Sequence, residues 1–193
     1  EIEFICMDLK EIDKFQLYYE NLKSKHDIVI SAIGELSKDT DSHKMNLIDQ
    51  MINSNYIYPA KCLEVISNIF LRENSPKEKI ILGISSVAGD RGRATNFYYG
   101  AAKSALTVFL SGLRQKLSKS KIIVITVCLG FVDTKMTKKE KIPNLLNTKP
   151  ETTAKKIIEC IEKKKLIYVP IKWKIIMIIV KLIPEGIFKK LNF

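Results

Sequence analysis

The chain has 193 residues, of which 46% are hydrophobic and 27% charged, and its formal net charge is +11. That balance excludes a disordered segment and permits a domain with a substantial core. No apolar run approaches the roughly 18 residues needed to cross a bilayer, so no transmembrane helix is predicted.

Strands and helices alternate along the chain. Ile2–Met7 reads as a short strand ending at Asp8. Ile12–Lys25 has the apolar spacing of a helix, with Ile12, Phe15 and Leu22 on one face. Asp27–Ala32 reads as a buried strand ending at Gly34. A long helix is predicted over Met45–Arg72 and a strand over Lys79–Ile84, followed by Ser85-Ser86. The next helix, Tyr98–Leu117, carries an apolar stripe through Ala102, Ala105, Leu106, Phe109 and Leu113. Ile122–Cys128 is a strongly β-branched strand. A linker over Lys138–Lys149 leads to a helix at Pro150–Lys164 and a last short strand at Leu166–Val169. Apolar strands without alternation, separated by helices, indicate a parallel sheet covered on both faces.

The most informative residues are Tyr99 and Lys103. Four positions apart on a helix, they share one face. An ammonium beside a phenol favours the phenolate, so Lys103 is expected to lower the pKa of Tyr99. With a serine hydroxyl from Ser85-Ser86 nearby, the group suits proton transfer to or from a carbonyl or alcohol. The four cysteines, Cys6, Cys62, Cys128 and Cys160, form no C-x-x-C pair and lie in apolar segments. They read as reduced core thiols of a cytoplasmic protein, and no metal site is expected. His26 and His43 have no ligand partners nearby in sequence.

Three motifs in order resemble the short-chain dehydrogenase/reductase family. They are Ile84-Ser85-Ser86-Val87-Ala88-Gly89, Tyr99-Gly100-Ala101-Ala102-Lys103, and Gly130-Phe131-Val132-Asp133-Thr134, with Ser86 and Tyr99 thirteen residues apart. The resemblance implies a Rossmann-like doubly wound α/β sheet and NAD or NADP as cofactor. It implies Tyr99 as general acid/base, Ser86 as the group orienting the substrate oxygen, and Lys103 as holder of the nicotinamide ribose. Asn55 aligns with the family's helix asparagine that supports proton relay; Asn53 is the alternative. Asp8 would lie beside the adenine ring, Gly34 would line the cofactor site, and Val132 and Thr134 would meet the carboxamide. The long helices are the family's usual oligomer interface, so a homodimer or homotetramer is expected.

The sequence departs from the family pattern at its start. The Thr-Gly-x-x-x-Gly-x-Gly turn, which holds the cofactor pyrophosphate in the family, is absent. The expectation is one Rossmann-like domain over residues 1–193 that lacks its first two strands, about 50–60 residues by family analogy. In the order 3-2-1-4-5-6-7 the first strand here would be strand three, without its partner. Elsewhere Ser31-Ala32-Ile33-Gly34 replaces Asn-Asn-Ala-Gly, and Leu129 stands where proline is common. A catalytically inactive member of the fold, acting as a binding or scaffolding partner, is the alternative function.

Charge points to partners. Residues 1–134 hold 17 Lys and Arg against 16 Asp and Glu, whereas residues 135–193 hold 15 against 5. A local acidic partner fits better than nucleic acid, for which the near-neutral first part shows no basic–aromatic stripe. Ile171–Leu182 is apolar nearly all round, and Trp173 reads as an interfacial aromatic. Residues 171–193 thus form a basic apolar tail, read as an in-plane membrane anchor, or else as a helix packed on the protein. Gly89-Asp90-Arg91-Gly92-Arg93 and the tail resemble a bacterial subgroup around the reductase of decaprenylphosphoryl-2-keto-ribose. That likeness implies a sugar or lipid-linked sugar substrate, handled at the inner face of the membrane, with Arg91 and Arg93 meeting a phosphate.

Overall fold

Runs of Ile, Val and Leu separated by helices pair side by side, each strand's two faces needing cover. The structure is a computed structural model that describes residues 2–22, 26–37, 45–73, 75–137, 146–163 and 166–191. Strands β1 (Ile28–Ser31), β2 (Lys79–Ser86), β3 (Ile122–Leu129) and β4 (Ile167–Val169) form a parallel sheet in the order β1-β2-β3-β4. The register sets Ser86 opposite Leu129 and Leu129 opposite Val169, so β2, β3 and β4 end at one level, while β1 stops at Ser31, opposite Gly83.

Helices cover both faces, as the unalternating strands require. On one face, α1 (Ile12–Glu20), α3 (Tyr58–Glu73) and α4 (Phe97–Lys116) pack Leu63, Ile66, Phe70, Leu106 and Leu110 against Ile81 and Val124. Gly83 lets α4 come close: a β-carbon there would lie 2.4 Å from a Leu110 methyl. On the other face, α5 (Pro150–Lys163) sets Ile157 and Ile161 against Leu82, Ile125, Val127 and Val169. Helix α6 (Lys172–Leu182) docks Trp173 and Met177 onto Val87 and Cys128, and the short α7 (Glu185–Phe188) follows.

The sequence expectation fails at the start of the chain. Residues 2–8 form no strand, and Ile2 and Phe4 are 81% and 92% exposed. A strand is held by its neighbour's backbone, and no described strand lies where this segment would pair. The free edge of β1 is bare for the same reason, with Ile28 and Ile30 about half exposed. Cys6 is accordingly exposed, whereas Cys62 and Cys128 are buried thiols whose pKa values burial pushes up to about 11 and about 12. Helix α1 stops at Glu20, short of Lys25. The predicted long helix is interrupted: α2 (Met45–Ile52) passes through a π-helical turn at Asn53–Ile57 into α3. His26 lies beside Tyr19, with the rings tilted and their centroids 5.9 Å apart. His43, most of the predicted linker and the Cys160 side chain lie outside the described residues.

Candidate active site

Strand β2 ends in two serines, whose side chains alternate to opposite sides. The Ser85 hydroxyl donates to the Lys103 carbonyl at 2.9 Å and lies 2.7 Å from Thr107 Oγ1, pinning α4 to the sheet. The Ser86 hydroxyl accepts from the Ala88 amide at 3.1 Å, capping the 3₁₀ turn Val87–Gly89. It also reaches the Leu129 carbonyl at 3.4 Å, at the end of β3. Ser86 is therefore fixed where two neighbouring strands end.

Helix α4 begins directly over that turn. A β-carbon on Gly100 would sit 2.8 Å from the Ala88 carbonyl oxygen, so only glycine lets the helix start so low. This sets Tyr99 beside Ser86 in the same cleft, close enough for the serine hydroxyl to act on its phenol. Lys103, one turn on, places Nζ 5.8 Å from the centre of the Tyr99 ring. Its side chain is only 4% exposed, and Nζ donates to the carbonyls of Ile33 at 3.2 Å and Ile84 at 3.3 Å. An ammonium has three donors, so one remains for a ligand.

Asn55 builds the floor behind the lysine. It sits in the π-helical turn and is fully buried. Its Nδ2 donates to the Glu35 and Met51 carbonyls at 2.9 and 3.0 Å, and its Oδ1 accepts from the Glu35 amide at 3.0 Å. Gly34 fits between these groups: a β-carbon would lie 2.8 Å from Asn55 Oδ1 and 2.9 Å from Lys103 Nζ. Asn53, the alternative from sequence, is half-buried on the same turn and has no such contacts.

Gly34, Ser86, Tyr99, Lys103, Val132 and Thr134 line one cleft of about 290 Å³, and the buried Asn55 stands behind its wall without lining it. The last two are shaped by Thr137, whose hydroxyl donates to the Val132 carbonyl and accepts from the Thr134 amide. Asp8 does not reach the cleft. It is exposed and closes a local turn with the Lys10 amide at 3.0 Å.

The electrostatics differ from the sequence expectation. The Tyr99 pKa is raised, because burial outweighs the Ser86 hydrogen bond and the Arg93 charge, which both lower it. Lys103 is not the group that draws it down. Burial instead lowers Lys103 itself to about 8. Spacing alone put the two groups on one face but could not weigh desolvation against charge.

Two tail assignments are also corrected. Arg91 does not face the cleft: its guanidinium donates to the Val180 and Ile183 carbonyls at 2.6 Å, pairs with Glu185 at 2.9 Å and lies 3.7 Å from the Phe188 ring centre. It caps α6 and holds α7. Trp173 is 4% exposed and packs edge-on to Phe131 rather than facing outward. Sequence reasoning missed Ser85 as a tie to α4 and Asn96 as a cleft residue. Strand alternation after Ser86 was the available signal for the first.

The model of the short chain dehydrogenase family matches residues 1–144. The chain belongs to this family. An uncharacterized oxidoreductase of Staphylococcus epidermidis is 30% identical over 112 residues, 58% of this chain and 47% of that one. The chain thus spans about half the length of the curated relatives it matches. A short-chain dehydrogenase from Burkholderia cenocepacia, solved with NADP, superposes with a TM-score of 0.81 at 15% identity, over 97% of this chain and 79% of its own. One from Mycobacterium paratuberculosis, solved with NAD, gives 0.70 at 18% identity, over 84% and 70%. At these identities the superpositions establish the shared Rossmann-like fold.

Proposed function

We propose that this protein is an NAD(P)-dependent oxidoreductase interconverting a secondary alcohol and a ketone. The observation that carries the reading is the meeting of Ser86, Tyr99 and Lys103 on one cleft at the strand ends. The residues present fit the nicotinamide–ribose half of the cofactor. Lys103 keeps a donor for ribose hydroxyls, and Val132 and Thr134 would hold the carboxamide. The bound cofactor supplies or accepts the hydride. The glycine-rich pyrophosphate turn is not in this sequence, and Asp8 is not at the cleft, so the other half draws no support from these residues.

Tyr99 gives its phenolic proton to the carbonyl oxygen in reduction and takes it back from the hydroxyl in oxidation. Burial keeps that proton on Tyr99 until the reaction demands it. Ser86 donates to the same oxygen and fixes its position. The Arg93 charge, which acts on Tyr99 against the effect of burial, stabilises the phenolate left behind. Asn55 acts as a positioning residue, holding the Glu35 backbone and the floor beneath Lys103.

Finer points belong to the same proposal. The substrate is a sugar or a lipid-linked sugar, as in the subgroup around decaprenylphosphoryl-2-keto-ribose reductase. The outward face of α6, with Ile175, Ile178, Ile179 and Leu182 exposed beside Lys174, supports contact with the inner face of an anionic membrane. No described helix is long and apolar enough to cross a membrane. Exposed Leu71, Phe97 and Val108 on α3 and α4 support self-association there.

The test is oxidation of NADH or NADPH with a panel of keto sugars, comparing the protein with Tyr99→Phe. Loss of the phenolic proton removes general acid catalysis, and a drop of roughly 10²–10⁴-fold is expected. Tyr99→Phe keeping a tenth or more of the activity sinks the reading. The rival, an inactive binding member of the fold, predicts no cofactor binding and no turnover by either form.

A further inference from the structure

We infer that Arg93 is the recognition point for an anionic group, a carboxylate or a phosphate, carried by the substrate beside its reacting carbonyl. The inference rests on the reading of the cleft as an alcohol–ketone site and adds the chemical class of what enters it. Arg93 stands on the loop between the Val87–Gly89 turn and α4, and its side chain lines the cleft with Ser86 and Tyr99. It is half-buried, and no described carboxylate pairs with it. No acidic side chain lines the cleft at all, among the described residues. Its neighbour Arg91 is fully engaged in capping α6, so the two arginines of this loop have separated roles.

A guanidinium cannot shed its charge, and withdrawing it from water without a partner is costly. Such a group is retained where a ligand completes it. Its fork matches carboxylate and phosphate oxygens two at a time. Its position is close enough for its charge to act on the Tyr99 phenol, which sets the anion next to the reacting oxygen. Lys103, the other cation of the cleft, gives two of its three donors to the Ile33 and Ile84 carbonyls, and the proposed reading gives the third to the ribose. Asn96, three residues after Arg93, adds a buried amide oxygen with no partner, suited to a ligand hydroxyl. Together they describe a hydroxylated keto acid or keto phosphate rather than a neutral ketone.

The experiment measures binding, so it does not depend on turnover. Dissociation constants are read by ligand-observed NMR for two matched pairs: acetoacetate with acetoacetamide, and dihydroxyacetone phosphate with dihydroxyacetone. The unmodified protein, Arg93→Gln and Arg93→Lys are compared at low and high salt. In the unmodified protein at least one anion binds tighter than its neutral partner, and that preference weakens with salt. Arg93→Gln weakens the anion by roughly ten- to a hundredfold and leaves the neutral partner unchanged. Arg93→Lys recovers part of the loss. Whichever anion responds tells carboxylate from phosphate. Equal binding of anion and neutral partner in the unmodified protein overturns the inference, as does anion binding that Arg93→Gln leaves intact. Failure of the oxidoreductase reading shows instead as turnover indifferent to Tyr99→Phe.

Discussion

Burial of a charged lysine under two carbonyls makes stability depend on pH in a way that can be isolated by replacing it. Lys103 has its pKa lowered by burial from 10.5 to about 8. The unfolded chain therefore binds more protons than the folded one between those values, and stability rises with pH across that window. Below pH 8 the ammonium is charged in both states and the full desolvation cost is felt. At about 1.4 kcal/mol per pH unit, the recovery between pH 8 and 10.5 amounts to about 3 kcal/mol. Lys103→Met removes that cost at every pH but leaves the Ile33 and Ile84 carbonyls without their donor, at about 1 kcal/mol each. The variant should be the more stable protein by about 1 kcal/mol at pH 7 and the less stable by about 2 kcal/mol near pH 10.5. Urea unfolding of both proteins at intervals from pH 7 to 10.5 reads the crossing as a midpoint difference that changes by about 1 M, for a slope of 2–3 kcal/mol per M. A stability difference that stays flat with pH, or one that drifts in the variant's favour as pH rises, refutes the reasoning.

Other expectations follow from single contacts. Asn55→Ala strips the partners from the Glu35 amide and carbonyl and from Met51, and should cost about 2–4 kcal/mol in urea unfolding, while Asn53→Ala costs less than about 0.5 kcal/mol. Similar losses in both variants would show that the Asn55 hydrogen bonds do not hold the floor of the cleft. Ile175→Glu with Ile179→Glu should lower co-flotation with anionic vesicles by roughly thirtyfold or more, since two outward isoleucines lose their apolar contact. Vesicle binding unchanged by the pair, or absent from the unmodified protein, removes the membrane contact from the proposal.

Much of the frame was legible because it depends on local pattern. The β-branched runs gave β2 and β3 nearly to the residue, and the order of Ser86, Tyr99 and Lys103 gave the cleft. What could not be read depends on partners distant in sequence. Residues 2–7 have strand composition but no ladder, because pairing is a property of two segments. Asn55 was legible as an amide on a helix, but not the π-helical turn that aims it at Glu35. Arg91 and Arg93 look equivalent in sequence. Only the return of the chain ninety residues later, with Val180 and Ile183 presenting carbonyls to Arg91, tells them apart. Trp173 was misjudged similarly, since helix periodicity leaves open which face meets the sheet.

The placement of Lys103 explains why the acid–base group can be whole within these residues. Its two carbonyl partners lie just past β1 and two residues before the end of β2, so the ammonium is fixed near the adjacent carboxyl ends of two paired strands. Tyr99 and Ser86 are fixed by β2, β3 and the start of α4. None of these supports lies beyond the free edge of β1. In a doubly wound sheet that edge is the switch point, and dinucleotide phosphates bind on its far side. On the proposed reading, proton transfer thus belongs to one side of β1, and phosphate binding, where a doubly wound sheet places it, to the other. A substitution that damages the Asn55–Lys103 floor should perturb the first directly, and reach the second only through β1.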